Sequence, residues 1–223
     1  MFKTSKITSK MLIILNNFNI VLLGVNCIDY KPPYIVTDTM LTLVGTIMEN
    51  LGSLQPVNSL EKMPRLRKVS RIKSIHSSLA IEHNNLTFDQ VTSIINGKRV
   101  LGSQGDIIAV KNAIETYKNI SSYNPYSVND LLDAHKTMMD HLLTDAGSFR
   151  NGNVRVGDEK GHIIHMAPPS SVVIEPIKNL FDYLENSQAN ILIKSCVFHY
   201  EFESIHPFSD GNGRMGRLFT LLY

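Results

Sequence analysis

At 223 residues, with 43% hydrophobic and 19% charged positions, the chain has the make-up of an ordinary globular protein able to bury a core. A formal net charge of +2 argues against broad electrostatic attraction to nucleic acid or to an anionic membrane, so any anion site has to be local. Two cysteines, Cys27 and Cys196, do not make a disulfide framework and fit a reducing cytoplasm.

The first stretch, residues 1–28, places Lys3, Lys6 and Lys10 before an apolar run, as a secretory signal does. Asn16, Asn17 and Asn19 interrupt that run and no small-x-small cleavage site follows, so an atypical amino-terminal extension is expected rather than an exported or membrane-spanning segment. After the breaker Lys31-Pro32-Pro33, residues 29–125 read as a helical region. Thr37 or Asp38 caps a helix bearing Leu41, Leu43, Val44 and Ile47 that ends near Gly52, and a basic helix is expected over 59–82. Thr87 with Gln90 is a capping box that opens a third helix. Ile107, Val110, Ile114 and Tyr117 keep helical spacing, as do Leu131, His135, Met138 and Leu142 behind the Ser127 and Asp130 cap signal. All of these stripes are assigned to the core.

At Gly147 the pattern changes. Alternating Val154 and Val156, a polar turn with glycines, then Ile163 and Ile164 predict a short β-hairpin in an otherwise all-α, mainly helical protein. Helical periodicity returns over 172–185 and 190–204 and runs into IHPFSDGNGRMGR, residues 205–217.

That last stretch carries the chemistry. Glycines on both sides of Asn212 let the backbone turn and expose N–H groups, and a helix starting there would aim its dipole and unpaired donors at an anion. Arg214 and Arg217, three apart, share a face and reach the same polyanion. Asp210 is a hard oxygen ligand suited to Mg²⁺, and a neutral His206 can take a proton from a hydroxyl. Alone, a histidine before proline is usually structural, the DGNG turn is generic, and paired arginines are usually a solvated face. Their combination in this order is what distinguishes the segment.

HPFSDGNGRMGR resembles the active-site motif of the Fic family, His-Pro-Phe-x-Asp-Gly-Asn-Gly-Arg-x-x-Arg, at every specified position. The segments "PPY" near residue 33, "GSFRNGNVRV" and "HYEFESIHPF" are similar to Fic segments too, so the likeness covers roughly residues 29–222, with residues 126–223 as the Fic core. The resemblance implies a helical fold and an ATP- and Mg²⁺-dependent protein adenylyltransferase acting on a Tyr, Thr or Ser hydroxyl. It implies His206 as general base, Asp210 as Mg²⁺ ligand, Gly211, Asn212 and Gly213 as anion hole, and Arg214 and Arg217 as phosphate ligands. It also makes the hairpin, Asn153, Val154, Arg155 and Val156 with His162, Ile163, Ile164 and His165, a flap that aligns the target by strand addition. The metal-binding alternative for His162 and His165 lacks a third ligand.

Upstream, "SSLAIEHNNLT" resembles the inhibitory signature Ser/Thr-x-x-x-Glu-Gly/Asn, which implies that Ser78 and Glu82 hold Arg217 in place of a γ-phosphate. His83 stands where the family has Gly or Asn, so the helix is expected to end one residue later or the clamp to sit differently. Removal of AMP from a target, transfer of another phosphate-containing group, and an inactive interaction module are the alternatives. Gly211-Asn212-Gly213 argues against the kinase-like departure, which carries a lysine there. Expected partners are a protein substrate, the chain itself as an automodification target, and a second copy in a homodimer, with no nucleic acid and no membrane. The chain stops at Tyr223, where Leu218, Leu221 and Leu222 still need a partner surface, so a shortened carboxy-terminus is expected.

Overall fold

Short polar side chains set most of the helix starts. Thr87 accepts the Gln90 N–H at 3.3 Å while Gln90 accepts the Thr87 N–H at 2.8 Å, closing the expected capping box. Ser103, Ser127 and Asn190 each accept an N–H from the first turn of the helix that follows. The computed structural model describes residues 30–54, 64–157 and 163–223. In chain order these hold α1 (Asp38–Leu54), α2 (Pro64–Ile81), α3 (Phe88–Ile95), α4 (Gln104–Lys118), α5 (Val128–Met139), β1 (Arg155–Gly157), β2 (Ile163–Met166), α6 (Ile174–Asn186), α7 (Ile191–Ile205) and α8 (Asn212–Thr220). The extension 1–28, with Cys27, and His162 lie outside the described residues.

The core forms where α7 and α8 pack on α2, α5 and α6. Phe198, Phe202, Phe208 and Phe219 are fully buried in it, beside Ile75, Leu131, Met138, Ile177 and Leu180. Burying each such side chain contributes about 2 kcal/mol. Phe198 is the hub, with ring centroids 5.3 Å from Phe202 and 6.1 Å from Phe219. No described helix is long and apolar enough to cross a membrane.

Three expectations need correction. The α1 stripe is not core: Leu41, Leu43 and Ile47 are exposed, because α1 buries none of its described side chains. Leu142 lies in the turn after α5, not on its apolar face. The helix carrying Ser78 does not run one residue further either. His83 adopts a left-handed backbone (φ 61), its N–H donating to Ala80 O and the Asn84 N–H to Leu79 O, both at 3.1 Å. This pair of bonds is the Schellman ending, with histidine in the position that glycine usually takes.

The hairpin exists as a two-stranded antiparallel ribbon, Arg155 opposite Met166, Val156 opposite His165 and Gly157 opposite Ile163, with a register irregularity between Val156 and Gly157. Asn153 and Val154 precede the ladder rather than join it. Leu218 is buried, whereas Leu221 is exposed.

Candidate active site

The site is built on a bend between α7 and α8. His206 ends α7 in the left-handed region (φ 49, ψ 61), which costs a side chain with a Cβ about 1–2 kcal/mol. Buried Arg150 offsets that cost. Its Nε donates to the His206 carbonyl at 2.8 Å, and its terminal nitrogens donate to Gly152 O at 2.7 Å and Pro168 O at 2.6 Å. Its own N–H reaches Pro207 O at 3.0 Å, so one residue ties the bend to the base of the hairpin. On the other side Phe208 stacks on His135 with ring centroids 3.6 Å apart. The Gly147 N–H donates to His135 Nδ1 at 3.0 Å, which leaves Nε2 as the protonated nitrogen that donates to Asp210 O, also at 3.0 Å. Burial lowers the proton affinity of His135, in keeping with that neutral ring.

Gly211 (φ 84) turns the chain into α8, and the first N–H groups of that helix have no intrahelical acceptor. The buried Asn212 amide accepts the Phe208 N–H and donates to Phe208 O, both at 2.9 Å, so its side chain fixes the bend and its backbone is what is left to face an anion. Asp210 accepts the Gly211 N–H at 2.5 Å and an Arg214 N–H at 3.2 Å, yet its side chain remains 58% exposed. The described residues contain no group of three or more His, Cys, Asp or Glu side chains arranged to hold a metal. A single open carboxylate beside an anion site nevertheless suits Mg²⁺, which takes one or two carboxylates together with substrate phosphates.

Burial lowers the proton affinity of His206, and the Arg150 and His165 charges act in the same direction; the Glu203 backbone carbonyl and Asp210 oppose them. The imidazole is therefore neutral at neutral pH and able to accept a proton.

Arg217 is held by α2. Its Nε donates to Ser78 Oγ at 3.0 Å, and one terminal nitrogen reaches Ser78 O at 3.0 Å and Glu82 Oε1 at 2.6 Å. The Glu82 carboxylate and the Arg217 guanidinium both lie against Gly213, where any larger side chain would collide with them. Beside this pair opens a cavity of about 770 Å³ lined by Ser78, Ile81, Cys196, Tyr200, Glu203 and Leu221.

Residues 125–223 match the model of the Fic/DOC family. Over these residues the chain is a Fic domain. A Fic family protein from Desulfovibrio desulfuricans G20 superposes with a TM-score of 0.82 at 45% identity, over 86% of this chain and 59% of that one. Fic-1 of Caenorhabditis elegans shares the fold, with a TM-score of 0.61 at 21% identity over 82% of this chain and 58% of its own. The "Protein adenylyltransferase Fic" of Aedes aegypti is 30% identical over 75% of this chain and 34% of its own length, and that of Culex quinquefasciatus is 29% identical over 74% and 34%. The chain thus spans about a third of the length of these curated relatives.

In this chain the bend brings His206, Asp210, Gly211, Gly213 and Arg214 together, and α2 carries Ser78 and Glu82 to Arg217. Arg214 and Arg217 do not share one role: Arg214 is buried against Asp210, while Arg217 is occupied by the α2 groups. The hairpin is tied to α7 by His165, whose Nε2 meets Ser204 O at 2.8 Å. Sequence reading missed Arg150 and the bridging role of His135. Arg150 stands inside the quoted GSFRNGNVRV, but nothing in residue type or spacing tells a buried strap from an exposed arginine, and His135 looked like one more residue of a helical stripe.

Proposed function

We propose that this chain transfers AMP from ATP to a Tyr, Thr or Ser hydroxyl of a protein, itself included, and that Glu82 holds it inactive in cis. The observation that carries the reading is the engagement of Arg217 by Glu82 and Ser78 against Gly213, next to the anion-facing start of α8. A carboxylate in that position takes the charge-assisted bonds a terminal phosphate would otherwise receive.

In this reading the phosphates lie across the N-terminus of α8, with Arg214 and, once Glu82 withdraws, Arg217 balancing their charge. The nucleoside occupies the neighbouring cavity. The target strand adds to the hairpin and presents its hydroxyl to His206. The hydroxyl oxygen bonds to the α-phosphorus, its proton passes to the imidazole, and the bond to the bridging oxygen breaks with loss of pyrophosphate. Mg²⁺ held by Asp210 would supply neutralisation of the phosphate charge. A cytoplasmic location and a homodimer complete the proposal.

The test uses α-labelled ATP with Mg²⁺ on the wild-type chain, on Glu82→Gly and on Glu82→Gly with His206→Ala. The expected gain on removing the glutamate is about 10-fold or more, the value of one hydrogen bond between charged groups, and the histidine change abolishes it. Folded protein that binds ATP and labels nothing in any form overturns the reading. In that case removal of AMP from a modified protein is the next activity to assay.

A further inference from the structure

Among the described residues three buried side-chain polar atoms have no hydrogen-bond partner: Glu203 Oε1, His206 Nδ1 and Arg214 Nε. Buried polar groups without partners are uncommon enough that each calls for a cause. Two of the three lie in one corner, where the carboxylate oxygen nearer the ring is Oε2 rather than the unpartnered Oε1 and the Glu203 main-chain carbonyl also faces the imidazole. Glu203 and His206 are three apart at the end of α7, and Glu203 Oε2 stands 4.0 Å from His206 Nδ1. That is about 1 Å beyond a hydrogen bond.

We infer that Glu203 is a positioning residue for His206: its carboxylate accepts the Nδ1–H, and the lone pair of Nε2 is thereby left for the incoming hydroxyl. The main chain of His206 is already fixed by Arg150 and by its N–H bond to Phe202 O at 2.9 Å, so the remaining freedom is that of the ring. The terminal torsion of a glutamate is broad, and turning it is enough to close the gap. Residue 216 keeps a seat for the carboxylate. A side chain at Gly216 would run into Glu203 Oε1 and crowd His199 Nδ1, so α8 stays bare where Glu203 packs. This inference goes beyond the motif residues, because it assigns a role to a carboxylate on the last turn of α7 that also lines the cavity beside Arg217.

The charges facing the pair come from six parts of the chain. Burial raises the proton affinity of Glu203 and Glu82 on α2 adds to it, while His199 on α7 and Arg217 on α8 oppose the rise. Arg150, His165 and Asp210 face His206.

The catalytic consequence rests on the proposed AMP transfer, whereas the ring itself is observable without it. Nitrogen-15 histidine spectra across pH are compared for the wild type, Glu203→Leu and Glu203→Gln, with His206→Asn identifying the resonance. In the wild type the neutral ring is protonated at Nδ1. In Glu203→Leu it becomes a mixture of tautomers and titrates at lower pH, and in Glu203→Gln the tautomer is kept because the amide oxygen still accepts, while the titration falls. In the Glu82→Gly background, Glu203→Leu lowers kcat for labelling about 100-fold, and Glu203→Gln recovers part of it. An unchanged tautomer and an unchanged titration in Glu203→Leu overturn the inference, whatever the activity. Ring changes as expected with no labelling by any form support the inference and count instead against AMP transfer.

Discussion

The bend at residues 205–217 and the hairpin at 155–166 meet through Arg150 and His165 and are otherwise held in opposite ways. In the bend, Phe208 is fully buried, the Asn212 amide makes two hydrogen bonds to the main chain of Phe208, and His135 braces Asp210 from below. The hairpin has two strands of three and four residues, an irregular register, and an exposed Met166. A two-stranded ribbon is marginal by itself and keeps an unpaired edge. The difference follows from what each part has to meet. Groups that balance charge work only if they are fixed beforehand, whereas an edge that pairs with a strand has to be left open.

The sharpest way to break this contrast is at the base. His206→Asn keeps a residue that tolerates the left-handed backbone, so folding stability should change by less than about 0.5 kcal/mol, while labelling in the Glu82→Gly background falls about 1,000-fold. The opposite pattern, activity kept and stability lost, would make His206 part of the brace. Arg150→Met leaves several part-buried carbonyls without their donors and should cost about 3 kcal/mol, read as a lower midpoint in urea. Next comes Gly211→Ala, which places a Cβ at φ 84, 2.8 Å from Met139 Sδ, and should cost about 2 kcal/mol in the same measurement.

Acidification probes the same brace. Burial lowers the proton affinity of His135, so below the ordinary value of about 6.5 the unfolded chain takes up protons that the folded one refuses. Stability should therefore fall as pH drops below that value, and His135→Phe should flatten this limb of a pH series of thermal unfolding. The smallest effect belongs to the hairpin: Arg155→Ala, at an exposed position, should move stability by less than about 0.5 kcal/mol while changing which proteins are labelled in a lysate.

Much of this was legible residue by residue. The capping box at Thr87, the serine cap at Ser127 and the turn into α8 rest on hydrogen bonds within a few positions, so local chemistry settles them. His83 shows the limit of local preference. Its side chain is a poor choice for a left-handed helix end, yet the bonds from residues 83 and 84 back into α2 place it there.

By itself the sequence determined the helical class, the hairpin and the order of charged and glycine residues from His206 to Arg217, because these depend on periodicity and on neighbours in the chain. Only the tertiary structure decided that α1 leaves its leucines exposed, that Arg150 rather than a motif residue supports His206, and that Glu82 meets Arg217 across 135 positions. Burial and long-range pairing depend on which surfaces come together, and that is a property of the packed chain rather than of any one segment.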